Sequence, residues 1–247
     1  MQKFAIFGDV HGCIDELIAL HNHLNDNERI MISVGDLVDR GPDSVGVVKY
    51  IKDNFHYVVK GNHDSKLHRR FESDKVNYQY QEVLDTFSLP ENVELVEWLK
   101  NLPTSIDFGD FVVAHAAHPY WEEVRAKKTR DVNLYGFTDG VLNEHGFPAR
   151  KPWAKKWGEL MNGKLMIHGH NAVHEPEFND NVINVDTGAV YGGHLTAFLI
   201  PEMRFVSVRS EKYYDSATAP SASIYNRPDR LDEIWDIIDL DAASKMG

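Results

Sequence analysis

Asp9 and His11, Asp36, Asn62 and His63, His115, and His168 with His170 are the residues of this chain whose types and spacing could hold metal ions. They stand in five short cassettes: Gly8-Asp9-Val10-His11-Gly12, Gly35-Asp36-Leu37-Val38-Asp39-Arg40-Gly41, Gly61-Asn62-His63-Asp64, Val113-Ala114-His115-Ala116 and His168-Gly169-His170-Asn171. A His-rich set with some carboxylates suits Mn, Fe or Zn better than Mg or Ca. Two such cations ~3.5–4 Å apart lower the pKa of a shared water and neutralise charge on phosphoryl oxygens. The chemistry indicated is therefore hydrolysis of phosphate esters. It requires one carboxylate shared by both metals and further ligands from scattered loops.

Each cassette alone has a plainer reading. Asp9 and Asp36 after glycine could be turn or cap residues, and Asn62-His63 an ordinary turn. His115 and His168 could be hydrogen-bonded strand histidines. Asp186, in Val185-Asp186-Thr187-Gly188, could cap a turn or orient a metal-bound imidazole from behind. Their joint occurrence, in order and each at the end of a strand pattern, overrides the single readings.

The elements that must position these residues are legible around them. Phe4 to Phe7, Arg29 to Val34 and Tyr57 to Val59 read as strands, separated by helical patterns through Ile14, Leu17, Ile18 and Leu24 and over Ser44 to Lys52, capped by Asp43 or Ser44. A βαβαβ order implies parallel strands with right-handed crossovers, whose ligand sites gather beyond the strands' carboxyl ends. Residues 65–103 read as a helical cap and 116–163 as a substrate-facing insertion. Strand signals at 182–185, 195–200 and 205–208 suggest an antiparallel second sheet. The expected organisation is an α/β catalytic domain over 1–209, followed by a 210–247 tail. Pro228 to Leu240 of that tail predicts an acidic amphipathic helix docked through Leu231, Ile234, Trp235 and Ile238.

Composition narrows the class. The 247 residues carry a net charge of −12, which argues against a nonspecific nucleic-acid coat. The single cysteine, Cys13, excludes an internal disulfide framework and fits a reducing compartment; its place favours a small buried residue at a helix start over a redox thiol. The N-terminal residues enter a strand pattern at once, and no apolar stretch approaches the ~18 residues of a membrane span. A cytoplasmic location without membrane contact is the expectation.

The motifs GDxHG, GDxxDRG and GNH[ED], followed by two later histidines, resemble the phosphoprotein phosphatase branch of the calcineurin-like metallophosphoesterases over roughly residues 3–209. The resemblance implies that fold, a two-sheet β-sandwich flanked by helices. It also implies two divalent metal ions, Mn2+ foremost and Fe or Zn as substitutes. Asp9, His11 and bridging Asp36 would bind the first, and Asp36, Asn62, His115 and His170 the second. His63 would donate a proton to the leaving oxygen, oriented and held cationic by Asp39, while Arg40 contacts the phosphate. Chemistry agrees: imidazole is the natural acid near neutrality, and guanidinium is a two-pronged phosphate donor.

The sequence departs from the eukaryotic enzymes in His115-Ala116-Ala117, in the Asp of GNHD, and in the Val185 to Gly193 stretch. These features point to the bacterial and phage branch, near compact protein phosphatases, symmetrical diadenosine tetraphosphate hydrolases and the phosphatase domain of RNA-repair enzymes. The stretch from Tyr135 to Trp153 is similar to the repair domain and makes Arg150 a second candidate phosphate arginine, with a loop anchor as the equal alternative. Tyr120, Trp153 and Trp157 could stack on a base, although packing is the better reading for each. The leading expectation is hydrolysis of phosphomonoesters in the manner of a serine/threonine phosphatase. The alternative is a diadenosine tetraphosphate hydrolase or an RNA-end 2′,3′-phosphatase/phosphodiesterase, so the partner is a phosphoprotein, a nucleotide or an RNA end. A non-enzymatic, metal-stabilised scaffold ranks last, because no ligand is missing.

Overall fold

The computed structural model describes residues 1–247 except 25, 27, 74–79, 120–125, 143–147, 211, 213, 215–230, 239 and 241–247; for 126–128, 139, 140, 142 and 148–150 it describes the course of the chain alone. The chain begins β1 (Lys3–Phe7), α1 (Ile14–Leu24), β2 (Arg29–Ser33), α2 (Ser44–Asn54) and β3 (Tyr57–Val58). Three helices follow, α3 (Asn62–Phe71), α4 (Gln81–Phe87) and α5 (Val93–Asn101), then β4 (Ser105–Asp107) and β5 (Phe111–Ala114). Next come α6 (Ala126–Tyr135), the hairpin β6 (Thr138–Leu142) and β7 (Pro148–Arg150), α7 (Ala154–Leu160) and β8 (Leu165–His168). The last part holds β9 (Glu177–Asn179), β10 (Val182–Asn184), β11 (Asp186–Thr187), β12 (His194–Ile200), β13 (Arg204–Arg209), α8 (Leu231–Ile234) and β14 (Trp235–Ile238).

Two mixed sheets face each other. One has the order β14-β13-β12-β1-β2-β3, with β11 beside β12; the other has the order β4-β5-β8-β10-β9. β1, β2 and β3 are parallel, as the βαβαβ pattern requires. Strand alternation assigns the layers. Ile6 and Ile32 meet Phe111, Val113, Ile167 and Ile183 between the sheets. Ala5, Phe7 and Met31 turn to the other face, against Leu17, Leu20, Val47 and Ile51 of α1 and α2. Val112, Ala114 and Met166 turn outward against Trp153 and Trp157. The result is a helix–sheet–sheet–helix stack.

Two sequence expectations change. The strands at 195–200 and 205–208 do not form the second sheet with 182–185. β12 pairs antiparallel with β1 and with β13, extending the first sheet, whereas β10 lies parallel to β8 in the second. β12 is apolar on both faces, Leu195, Ala197 and Leu199 on one and Phe198 on the other, which suits a central strand.

Within the stretch expected to be one helix, the described residues are helical over Leu231–Ile234, and Trp235–Ile238 then runs as a strand parallel to β13. The open edge of β13 offers backbone partners that a helix could not use. Leu231, Ile234 and Trp235 do pack on the domain, in the inter-sheet cluster. Trp235 Nε1 donates to Ser207 Oγ at 2.6 Å, closing a buried hydroxyl chain through Thr196 and Thr187. Trp235→Ala removes the ring and that donor together. The expected loss is about 2–4 kcal/mol of unfolding free energy, read from urea titration; a change below about 0.5 kcal/mol would contradict this packing.

Asp43 caps α2 by accepting from Gly46 N at 2.7 Å. Cys13 is fully buried and burial pushes its thiol well up, in keeping with the packing role. Among the described residues no helix is long and apolar enough to cross a membrane.

Candidate metal centre

The five cassettes leave the carboxyl ends of β1, β2, β3, β5 and β8 and lock onto one another. The first is joined to the second by backbone: Val10 and His11 donate to Asp36 O at 3.1 and 2.8 Å, and Gly12 to Leu37 O at 2.9 Å. Asp64 joins the second to the third. Its Oδ2 accepts from Asp36 N at 3.0 Å and Gly61 N at 2.8 Å, and its Oδ1 from Leu37 N at 2.9 Å. Burial and the charge of Asp36 push the Asp64 carboxyl up to about 6, against the pull of the Gly61 and Leu37 amides. Glycine is required where these loops approach most closely, since a Cβ at Gly61 would strike Asp36 and one at Gly169 would strike the Asp9 carboxylate.

The donor atoms converge on Asp36. His115 Nε2 lies 2.8 Å from Asn62 Oδ1, 3.1 Å from His170 Nδ1 and 3.3 Å from Asp36 Oδ2, and His170 Nδ1 lies 2.8 Å from Asn62 Oδ1. The same Asp36 oxygen is 3.5 Å from His11 Nε2. Backbone carbonyls set the imidazoles: His11 Nδ1 donates to Val38 O at 2.9 Å and His115 Nδ1 to Val34 O at 3.0 Å. In the neutral ring each Nε2 therefore presents its lone pair inward. Burial, then the charge of Arg40, pushes His11 down to about 3. Burial alone would raise Asp36, but the charges of His115, His63 and His11 hold it well below the usual carboxylate range. Burial would likewise lower His115, yet Asp36 raises it. A buried carboxylate ringed by imidazole nitrogens and an amide oxygen from four cassettes is a donor set that fits divalent cations of borderline softness.

Two clusters share Asp36: with His11 and His63, and with His115 and His170, the ligand atoms of each lying within 4.8 Å of one another. Asp9 stands outside both. Its two oxygens accept from His170 N at 3.2 and 3.1 Å, and Oδ1 is 3.9 Å from His115 Nδ1. Burial and the charges of Asp186 and Asp36 push its carboxyl well up. His63 is thus grouped with His11 and Asp36, and Asp9 lies behind His170 and His115.

The backbone is left-handed at His11, Asp36, Asp39, Arg40 and His170, with φ of 46°, 49°, 79°, 73° and 68°. L-residues adopt this region at a cost of roughly 1–2 kcal/mol each, and such positions persist where surrounding contacts over-determine them.

Beside the clusters, His63 Nδ1 is 2.6 Å from Asp39 Oδ2, and the His63 ring stands edge-on to His11 at 4.8 Å. Asp39 also receives Lys66 Nζ at 3.3 Å; despite burial, His63 and Lys66 hold its carboxyl below the ordinary range. Ser44 Oγ accepts from Asp39 N at 3.0 Å, fixing the turn. Arg40 Nη1 reaches His11 Nε2 at 3.0 Å, its guanidinium 5.6 Å from the centre of the Tyr191 ring. Asp64, Lys66 and Tyr191 are the residues sequence reasoning missed. Only Lys66 left a signal, three residues after His63 on the same helix face.

Asp186 accepts from Gly188 N at 3.1 Å, a turn-capping contact. Trp153 and Trp157 are buried, and Trp157 Nε1 donates to Lys164 O at 2.9 Å, so neither ring is available to a base. Arg150 lies on β7 opposite Thr138, but its side chain and Tyr120 are outside the described residues.

A family model for calcineurin-like phosphoesterases matches residues 2–197, and the chain belongs to that family. Metallophosphoesterases of this kind are hydrolases with a dinuclear metal centre. The bis(5′-nucleosyl)-tetraphosphatase PrpE [asymmetrical] of Oceanobacillus iheyensis is 32% identical over 237 residues, covering 85% of this chain and 94% of the relative. Its Bacillus subtilis counterpart is 31% identical, covering 87% and 98%. A crystal structure of a protein provisionally assigned as a diadenosine tetraphosphatase superposes with a TM-score of 0.66 at 27% identity, over 85% of this chain and 94% of that one. A yeast serine/threonine phosphatase similar to human PP5 has a TM-score of 0.53 at 16% identity, over 81% and 73%, and shares the fold.

Proposed function

We propose that this chain hydrolyses dinucleoside tetraphosphates, cutting asymmetrically to a nucleoside monophosphate and a nucleoside triphosphate. What carries the substrate is the end-to-end similarity to the PrpE tetraphosphatases, which favours the nucleotide reading over the phosphomonoesterase reading that the motifs alone put first. What supports the chemistry is the sharing of one Asp36 oxygen between His11 and His115.

In this reading Asp9, His11 and Asp36 hold one divalent cation, and Asp36, Asn62, His115 and His170 a second, Mn2+ being the expected metal. His63 stands beside the first cluster, within reach of a group bound there. Bound there, the cations supply a water of lowered pKa and neutralise phosphoryl charge. Asp39 fixes the His63 ring through Nδ1, leaving Nε2 to deliver a proton to the bridging oxygen as its bond to phosphorus breaks and the water oxygen bonds in its place. Arg40, steadied over Tyr191, places its guanidinium beside His11, where it can grip two phosphoryl oxygens.

The test is a substrate panel on Mn-loaded protein: diadenosine tetraphosphate, a phosphoserine peptide, 2′,3′-cyclic AMP and p-nitrophenyl phosphate. Diadenosine tetraphosphate is expected to give kcat/KM at least about a hundredfold above the peptide, with AMP and ATP as products by chromatography. A peptide that outperforms the dinucleotide would restore the protein-phosphatase reading, and preferred cleavage of the cyclic nucleotide would favour the RNA-end reading.

A further inference from the structure

Two arginines outside the cassettes converge on Ser65, one turn along α3 from Asn62. Arg69 Nε donates to Ser65 O at 3.0 Å and Arg69 Nη2 to Tyr135 Oη at 3.0 Å. From α6, Arg130 Nη2 donates to Ser65 Oγ at 3.5 Å. Asn62, Ser65 and Arg69 are spaced i, i+3 and i+7 and share one face of the helix. Ser65 and Arg69 thus stand about 4.5 and about 10 Å along the axis from Asn62, whose amide oxygen meets His115 and His170.

Both arginines are exposed, and among the described residues neither pairs with a carboxylate, although the chain holds 38 acids against 26 Lys and Arg. Lys60 and His68 lie in the same neighbourhood. Burial pushes both down, and Arg130 adds to the effect on Lys60 as Lys60, Arg69 and Arg130 do on His68. His68 is nine-tenths buried with no partner for Nδ1 among the described residues. The acids that act on Lys60 and His68 are themselves engaged: Glu72 by Lys100 at 2.8 Å, and Asp64 by three backbone amides. Neighbouring cations without a carboxylate bound to either guanidinium repel one another, and an anion seated between guanidinium forks relieves that repulsion with paired hydrogen bonds.

We propose that Arg69 and Arg130, seated on Ser65 and Tyr135, form a phosphate subsite for the phosphates of a polyphosphate chain that lie beyond the one at the Asp36 centre. The proposal deepens the tetraphosphatase reading and rests on it for the identity of the chain's natural ligand. The arginines hold the distal phosphates along α3 while the reacting one stays at the clusters. They distinguish a polyphosphate from a single phosphoryl group.

Inorganic tripolyphosphate and orthophosphate, titrated by calorimetry into the metal-loaded full chain with free metal in excess, test it. The wild type is expected to bind tripolyphosphate at least about tenfold more tightly than orthophosphate, as one added charge-assisted contact would give. In Arg69→Gln/Arg130→Gln that preference falls towards one. Arg69→Lys restores part of it, keeping the charge but losing the fork. Each single variant and a thermal melt guard against misfolding. Absence of preference in the wild type, or its survival in the folded double variant, overturns the subsite. An arginine-dependent preference without turnover of diadenosine tetraphosphate leaves the subsite standing and removes the proposed substrate instead.

Discussion

Asp36→Asn is expected to lower kcat on diadenosine tetraphosphate by on the order of a thousandfold or more, ~4 kcal/mol, and to reduce bound metal from two ions per chain to one or fewer. The size follows from position. One Asp36 oxygen serves imidazoles of both clusters, at 3.5 Å from His11 and 3.3 Å from His115, while the other accepts from His63 N at 2.8 Å. An amide keeps the shape but removes the negative charge and turns one of these acceptors into a donor. Elemental analysis alongside the kinetics separates metal loss from a failure of chemistry. A variant that retains two metals and wild-type turnover would refute the shared-ligand arrangement.

Asp64→Ala is expected to cost about 3–5 kcal/mol of unfolding free energy and to abolish activity as well, although Asp64 touches no substrate. Removing its carboxylate leaves the amides of Asp36, Leu37 and Gly61 unsatisfied at a site with no solvent access. The second and third cassettes then lose the bond that sets Asp36 against Asn62. Asp64→Asn keeps one acceptor oxygen and should fall between. Urea unfolding with and without Mn measures the loss, and a change below about 1 kcal/mol would show that the amides find other partners.

How much of this was legible beforehand depended on how local each signal is. The five cassettes were readable because glycine-bounded polar residues after β-branched runs mark turns at strand ends. The parallel βαβαβ core was readable because alternating periods identify it. Asp64 was quoted within a motif and yet carried no role, since accepting two amides from the second cassette and one from its own leaves no trace in spacing. The membership of β12 in the first sheet is a long-range choice, made by pairing with β1 nearly two hundred residues earlier in the chain. The apolar residues from Leu231 to Ile238 keep a helical spacing, and the open edge of β13 takes Trp235–Ile238 as a strand instead.

The left-handed residues at His11, Asp36, Asp39, Arg40 and His170 bear on any attempt to make a hardier variant. Glycine would relax the chain at each of them and delete the group that does the work, so this is one region where consensus-style stabilisation and performance pull in opposite directions. Robustness has to be added at a distance, in the layer where α1 and α2 lie on the larger sheet, leaving the spring-loaded rim untouched.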